Sequence, residues 1–460
     1  MEPAGVMRTG LAVLAGRATG TLSRASRRGG GTTLPGDVAR AIDPSVLRRL
    51  TADLREGAVL VTGTNGKTTT SRLVASLLEG QGQQVVANRS GANLISGATA
   101  AVVARAGFDG RLRADWGVFE IDEATLPAAV EEMRPRAVLV GNLFRDQLDR
   151  YGELELLART IHGALEQLPP GGVAVLNADD PRVAEIGLGL SRTPAWYGLD
   201  DPRVARRELP HAADARTCPR CGATLRFELV YCGHEGVYRC PAGDFDRPQP
   251  AVAGRDVELD GLDRLGVTAG SSRLEVPLGG LYNVYNVVGA FATGSALGLE
   301  PAYMAERLRA VAAAFGRQER FEHDGRRFTM MLAKNPTGFN ELLRESERAH
   351  GRHFLVGLND RIADGRDVSW IWDVDFELLA GRAAVVVPTG TRAHDLAVRL
   401  KYAGVSAAEP PAPQLDGALD RLLGAVPSGG EGFLLCTYTA MLELRALLVR
   451  RGWLRPYWAT

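Results

Sequence analysis

The chain has 460 residues, a formal net charge of zero and 45% hydrophobic residues. That length allows about three domains with ordinary cores, and the charge balance excludes a disordered polyelectrolyte or a generic nucleic-acid binder. Only Lys67, Lys334 and Lys401 are lysines among 54 basic residues; arginine serves a solvated surface equally well, so each lysine marks a place where a compact ammonium has a chemical use.

The first stretch, "MRTGLAVLAGRATGTLSRASRRGGG", carries five arginines and no acid. It reads either as a membrane-surface helix or as a frayed basic helix running into a glycine linker, and residues 1–45 are set apart on that basis. No run reaches the roughly 18 apolar residues of a membrane span, and nothing resembles a cleavable signal. A cytoplasmic protein is expected, at most touching the inner face of the membrane.

Short apolar runs then alternate with helical patterns. "GAVLVTG", "WGVFEID", "RAVLVGN" and "GVAVLNADD" read as strands of a mostly parallel sheet with helices on its faces. A cysteine-bearing insert interrupts the series at 206–248, and the α/β pattern returns through "LGGLYNVYNVVGAFATGSALGL". This first α/β domain is assigned to residues 46–322. A second α/β series, with "RHFLVGLND", "RAAVVVPTGTRA" and "EGFLLCTYTAM", fills residues 323–460.

In "VLVTGTNGKTTTSRLVASLL" a strand, a polar glycine loop and an amphipathic helix follow one another. The glycines Gly63 and Gly66 let the backbone close on an anion, and the N–H groups of Gly63, Thr64, Asn65, Gly66 and Thr69 can turn inward toward it. Lys67 is placed to reach the β- and γ-phosphates, and the Thr68 hydroxyl to ligate Mg²⁺. Leu73, Val74, Leu77 and Leu78 form the buried face of the helix, whose N-terminus favours the same anion. The loop predicts nucleoside triphosphate binding.

Four of the five cysteines fall between 218 and 240, a spacing that suits a metal site better than a disulfide framework. "CPRCG" lets Cys218 and Cys221 face one tetrahedral ion, and a short hairpin ends at Cys240. A structural zinc is expected, because a small insert has no core of its own. Nucleic-acid contact through this module is disfavoured: Arg216, Arg220, Arg226 and Arg239 are interspersed with Glu228, Glu235, Asp244 and Asp246, which is no basic stripe. Cys436, in "FLLCTYTAM", reads as a buried structural cysteine.

The loop "TGTNGKTTT" resembles that of the Mur ligase family, ATP-dependent amide-bond formers of peptidoglycan synthesis. "FEIDEAT", "GNLFRDQLDR", "LNADDP", "YNVYN", "GRQERF" and "AKNP" extend the resemblance in order, from residue 57 over nearly the whole chain. The resemblance implies that Glu120 helps hold Mg²⁺, that Asn283 meets the adenine, and that Arg317 meets the nucleotide from the edge of the next domain. Asp122 and Glu123 read equally as catalytic or as capping acids.

Three departures narrow the branch. About 60 residues precede the phosphate loop, too few for a uridine-nucleotide domain. No lysine lies between Lys67 and Lys334 to be carbamylated. Gln147 stands where the family has a metal-binding histidine. With the cysteine insert and "LNDRIADGRDVSWIWDVDFE", these features resemble the MurT branch. Its members pair with a GatD-type glutaminase and amidate the α-carboxyl of D-glutamate in the lipid II stem peptide; a classical amino-acid-adding ligase is the alternative, and a nucleotide-switch or nucleic-acid-binding protein the second.

In that branch an aspartate of the C-terminal domain completes the partner's Cys/His pair. The resemblance puts this role on Asp367, with Asp360 and Asp364 as the other candidates; read alone, Asp367 is a helix cap, Asp364 a turn residue and Asp360 a loop cap. The branch also has a second close cysteine pair, whereas Ala242 stands two residues after Cys240. Cys232 is therefore expected as the fourth zinc ligand, with His234 or Asp244 behind it.

Overall fold

The computed structural model describes residues 3–25, 33–88, 91–145, 153–211, 213–311 and 318–455. The apolar runs become β1 (Gly57–Thr62), β2 (Val85–Ala87), β3 (Trp116–Glu120), β4 (Ala137–Val140), β5 (Val173–Asn177) and β6 (Ala195–Leu199). All pair in parallel, with β1 between β3 and β4. Nearly every residue of β1, β3 and β4 is buried, as strands covered by helices on both faces must be.

One face is covered by the helices Lys67–Leu78 and Leu281–Ala296, which bring Leu73, Val74, Leu77, Val284 and Val288 onto β1 and β5. The other receives Ile95–Arg105, Leu126–Met133, Glu153–Glu166 and Pro181–Leu188.

Within the insert, β7 (Arg226–Val230) and β8 (Gly236–Arg239) form an antiparallel hairpin. The chain then re-enters the large sheet as β9 (Val252–Asp260), parallel to β6, and continues through β10 (Arg264–Ala269) and β11 (Ser272–Val276) as an antiparallel meander. The nine-stranded order is β11-β10-β9-β6-β5-β4-β1-β3-β2. The three-stranded antiparallel edge was not evident in the sequence, because β9 carries Arg255, Asp256, Glu258 and Asp260 among its apolar residues, which breaks the apolar run.

The second sheet contains β12 (Gln318–His323), β13 (Arg326–Leu332), β14 (His353–Gly357), β15 (Val385–Thr389) and β16 (Glu431–Cys436), in the order β12-β13-β16-β14-β15. β12 pairs with β13 as a hairpin, so the boundary expected after residue 322 is corrected: the strand from Gln318 on belongs to the second sheet. A paired strand cannot be divided from its partner. The N-terminal helix is packed rather than frayed, and the glycine linker expected after it lies outside the described residues. Helix Pro3–Ala25 seats Ala12, Val13 and Gly16 against Leu34–Ile42 and Ile95–Arg105, and Ala39 joins the same core.

Between the end of β6 and β9, the Asp201 carboxylate takes the Val257 N–H at 2.7 Å and the Arg203 guanidinium at 2.7 and 2.9 Å. The Arg203 bonds, helped by that N–H, hold its pKa at about 2. A carboxylate depressed on folding contributes stability above its unfolded pKa and loses it as pH falls toward the folded value. Asp201→Asn is expected to cost about 1–2 kcal/mol at pH 7, the gap to wild type closing between pH 4 and pH 2; urea unfolding across that range measures it.

Candidate active site

The loop after β1 is held open by its glycines and braced from β4. Gly63 and Gly66 have φ of +130° and +84°. A Cβ at Gly66 would stand 2.1 Å from Asn286 Oδ1, and one at Gly63 2.9 Å from the Asn142 nitrogen, so neither position admits a side chain. Asn142, at the carboxyl end of β4, takes the Thr64 N–H on its carbonyl and the Asn65 N–H on Oδ1, both at 2.8 Å. Thr64 Oγ1 exchanges hydrogen bonds with the backbone of Phe144.

Lys67 is buried, its Nζ donating to the Gly63 carbonyl at 2.5 Å and pairing with Glu123 at 3.1 Å. Of the two acids left open by the sequence, Glu123 therefore faces the loop lysine. Asp122 accepts the Ala124 N–H and caps the short turn that follows. Beneath the loop, the Thr68 hydroxyl donates to Glu120 Oε2 at 2.8 Å. A hydroxyl and a carboxylate at the carboxyl end of a strand supply hard oxygens suited to Mg²⁺, so these two residues fit the ion assigned to them.

A cavity with about 940 Å³ of empty space, counting its open mouth, lies between this loop and the second domain. Asn65, Gly66, Thr69 and Asn283 line one side; Lys334, Thr337 and Glu341 line the other. Asn283 donates to the Gly279 carbonyl at 2.6 Å and accepts from Asn286 at 2.9 Å. Arg317 and Gln147 lie outside the described residues. The domains meet at the loop itself, where Asn335 Nδ2 donates to Asn65 Oδ1 at 3.0 Å. Asn335 also caps the helix Pro336–Arg348 through the Gly338 N–H, and Arg206 pairs with Glu341 at 3.1 Å.

Three cavity residues were given no role from the sequence. Lys334 carried a usable signal, the scarcity of lysine. Asn142 and Glu235 carried none, because ordinary side chains become a brace and a wall only through tertiary packing. Glu235 sits in the β7–β8 turn, all of which is buried. Its Oε1 accepts from Asn177 at 2.7 Å, and burial, with Asp180 and Asp179 nearby, pushes its pKa well up.

The thiols divide differently from expectation. Sγ atoms of Cys218, Cys221 and Cys240 lie within 4.8 Å of one another, with Cys221 and Cys240 at 3.4 Å. Three such sulfurs fit three corners of a tetrahedral zinc site. Cys232 is not with them. It lines the central cavity and packs in the main core, whereas Cys218 and Cys240 belong to a separate small core with Phe245. The expectation that Cys232 is a ligand is corrected: the hairpin carries its turn away from its cysteine end, into the cleft. His234 is also excluded, being buried against Asp180 at 3.2 Å; of the three alternatives, Asp244 alone has its side chain beside Cys221.

In the second domain the three aspartates follow β14. Asp360 accepts from the Thr391 hydroxyl at 2.8 Å and pairs with Arg392. Asp364 is buried and binds the Thr439 N–H at 2.8 Å and its hydroxyl, capping the helix Tyr438–Arg450. Asp367 is half-buried; its Oδ1 takes the Ser369 N–H at 2.8 Å, a bond that keeps the carboxyl ionised below its usual range. Cys436 is buried, its thiol pushed up to about 12 by desolvation.

Residues 61–204 match the Mur ligase middle domain and residues 332–441 the MurT ligase C-terminal domain. The lipid II isoglutaminyl synthase (glutamine-hydrolyzing) subunit MurT of Streptococcus pneumoniae is 33% identical over 97% of this chain and 98% of its own. That of Staphylococcus aureus (strain N315) is 34% identical over 83% and 86%. Among solved structures, a pseudomurein peptide ligase type C from Methanothermus fervidus superposes with a TM-score of 0.66 at 20% identity, over 87% of this chain and 79% of its own. MurF from Acinetobacter baumannii gives 0.64 at 18%, over 91% and 80%. A phosphate loop over a Thr68–Glu120 pair, a second domain set against it and relatives matched over most of their length agree: the chain belongs to the MurT family of Mur-type ligases.

Proposed function

We propose that this chain is the ATP-using subunit of a glutamine-dependent amidotransferase. Its substrate is the α-carboxyl of D-glutamate in the stem peptide of lipid II or a lipid-linked precursor, which it converts to a carboxamide. The observation that carries this reading is a continuous cavity that joins the phosphate loop to Lys334 across the domain junction. The substrate carboxylate attacks the γ-phosphorus, ADP departs, and an acyl phosphate forms. Lys67 and Lys334 offset the charge moving onto the phosphoryl oxygens. Thr68 and Glu120 would hold Mg²⁺, which would supply Lewis-acid stabilisation of the phosphoryl oxygens. Ammonia then attacks the acyl carbon, the C–O bond to phosphate breaks, and the nitrogen sheds a proton.

Ammonia is best delivered unprotonated from an adjoining site, and no thiol in this chain is suited to release it from glutamine. Three cysteines cluster, and burial raises the pKa of both Cys232 and Cys436, whereas a nucleophilic cysteine needs a lowered one. A glutaminase partner of the GatD type fits that gap. Asp360 is committed to Thr391 and Arg392, and Asp364 to Thr439 in the first turn of the helix Tyr438–Arg450, which supports Asp367 as the carboxylate that orients the partner's histidine.

The test gives the chain ATP, Mg²⁺ and lipid II with ammonium at alkaline pH, or with glutamine plus the glutaminase subunit. Carboxamide formation is followed by mass spectrometry. Amidation is expected from both donors. Lys67→Ala should lower both by at least about 10²-fold, whereas Asp367→Asn should lower glutamine-driven amidation by about 10⁴-fold and leave the ammonium reaction intact. Use of a free amino acid in place of ammonia would instead identify an amino-acid-adding ligase.

Zinc at Cys218, Cys221 and Cys240, with Asp244 or water at the fourth corner, is part of the same proposal. Elemental analysis should find one zinc per chain. Cys218→Ser should lose it and lower the melting temperature, while Cys232→Ser should retain it.

A further inference from the structure

Helix Pro3–Ala25 is mounted with its small residues inward. Thr9, Ala12, Val13, Gly16 and Gly20 face the protein; a Cβ at Gly16 would come within 2.8 Å of the Pro35 carbonyl and a Val103 methyl. Its large apolar residues point the other way: Met7, Leu11, Leu14 and Leu22 are 71%, 56%, 46% and 70% exposed. With exposed Ala18 they follow one another at intervals of three or four residues, a continuous outward stripe on one helix face. Phe108, 67% exposed, widens the stripe on one flank, where the Arg17 guanidinium lies 4.6 Å from its ring centre.

An ordinary surface helix buries its large residues and solvates its polar ones. An exposed apolar stripe of this kind marks an interaction surface. Charge decides what it meets. Between Glu2 and Asp37 the sequence has five arginines and no acid. Arg8 and Arg17 hydrogen-bond the carbonyls of Ile42 and Ala106, which leaves their positive charge uncompensated by those contacts. The adjoining segment 105–113 adds Arg105, Arg111 and Arg113 against Asp109 alone. No described helix is long and apolar enough to cross a membrane.

We propose that the outer face of helix Pro3–Ala25, with Phe108, lies in the surface of an anionic bilayer, with Met7, Leu11, Leu14 and Leu22 entering the acyl boundary and the flanking arginines meeting lipid phosphates. An apolar face edged with arginine is the pattern of an interfacial helix, and anionic lipid adds attraction for each basic residue. This inference stands apart from the ligase reading, since it uses neither the phosphate loop nor the second domain.

The experiment is sedimentation of the full chain with vesicles of phosphatidylcholine alone, or phosphatidylcholine with one-third phosphatidylglycerol, at low and high salt. The mixed vesicles should bind at least tenfold more tightly than the neutral ones, and high salt should weaken that binding. Leu11→Glu/Leu14→Glu, which changes only outward positions, should weaken it tenfold or more while keeping the wild-type melting temperature and the ammonium-driven activity on detergent-solubilised substrate. Leu11→Ile/Leu14→Ile should bind as wild type. No binding to the mixed vesicles overturns the proposal, as do equal binding to both vesicle types and an unaffected glutamate variant. A dimer seen by light scattering and dissolved by the glutamate variant, without vesicle binding, would assign the stripe to a second copy of the chain. Since the vesicle assay needs neither ATP nor lipid II, its failure leaves the ligase reading untouched.

Discussion

The site depends on how β4 holds the phosphate loop. A loop whose backbone N–H groups must face an anion has few internal bonds of its own, so an outside group has to fix it. Asn142 does so with its backbone carbonyl and its side chain, on consecutive residues of the loop. It stands at the carboxyl end of β4, which pairs with β1, so sheet register sets the distance. The absence of a side chain at Gly63 lets the two segments approach this closely. From that brace the site extends in two directions, through Asn65 to Asn335 of the second domain and along the cavity wall to Glu235 of the insert.

Burial of polar groups ties the insert to the large sheet. Asp179, fully buried, takes Arg247 at 2.7 Å, Tyr285 at 2.7 Å and the Leu199 N–H at 2.8 Å. Desolvation raises its pKa against the pull of Arg247. Removing one member of such a pair leaves a charge with no water to solvate it, a loss of about 3–5 kcal/mol. The three partners come from the end of the insert, the helix Leu281–Ala296 and β6. One carboxylate thus fixes the insert against both the sheet and the helix that carries Asn283, and the three-cysteine cluster closes the far end of the same module. This arrangement makes the turn at Cys232–Glu235 part of the cavity rather than a surface loop.

The second domain divides its labour along one sheet edge. β13, β14, β15 and β16 run parallel, and ligand groups in such sheets gather beyond the carboxyl ends. Lys334 follows β13 and faces the nucleotide loop, while Asp360, Asp364 and Asp367 follow β14. The segment after Asp367 leads to Asp373, which pairs with Arg145 of the first domain at 3.6 Å, and to Asp375, which pairs with Arg344 at 2.9 Å. Asp367, proposed for the partner's site, therefore lies six residues before Asp373, whose pairing with Arg145 crosses the domain junction.

By itself the sequence determined what is local. The phosphate loop, its strand and helix, the parallel strands β1 and β3 to β5, the hairpin of the insert and the buried Cys436 all rest on patterns within a few residues, where glycine freedom, apolar runs and spacing act directly. Glu120 was picked out by the resemblance to the Mur ligases, and its place beside Thr68 agrees with a strand end next to a phosphate loop. Tertiary structure decided everything that needs two distant segments to meet: the brace from Asn142, the Asn65–Asn335 contact across 270 residues, and the placing of Cys232 in the cleft rather than with its neighbouring thiols. It also decided which way helix Pro3–Ala25 faces. Its sequence is apolar on both sides, so composition alone gave no inward face; the close seat that Pro35 and Val103 offer to Gly16 turned the small residues in and the leucines out.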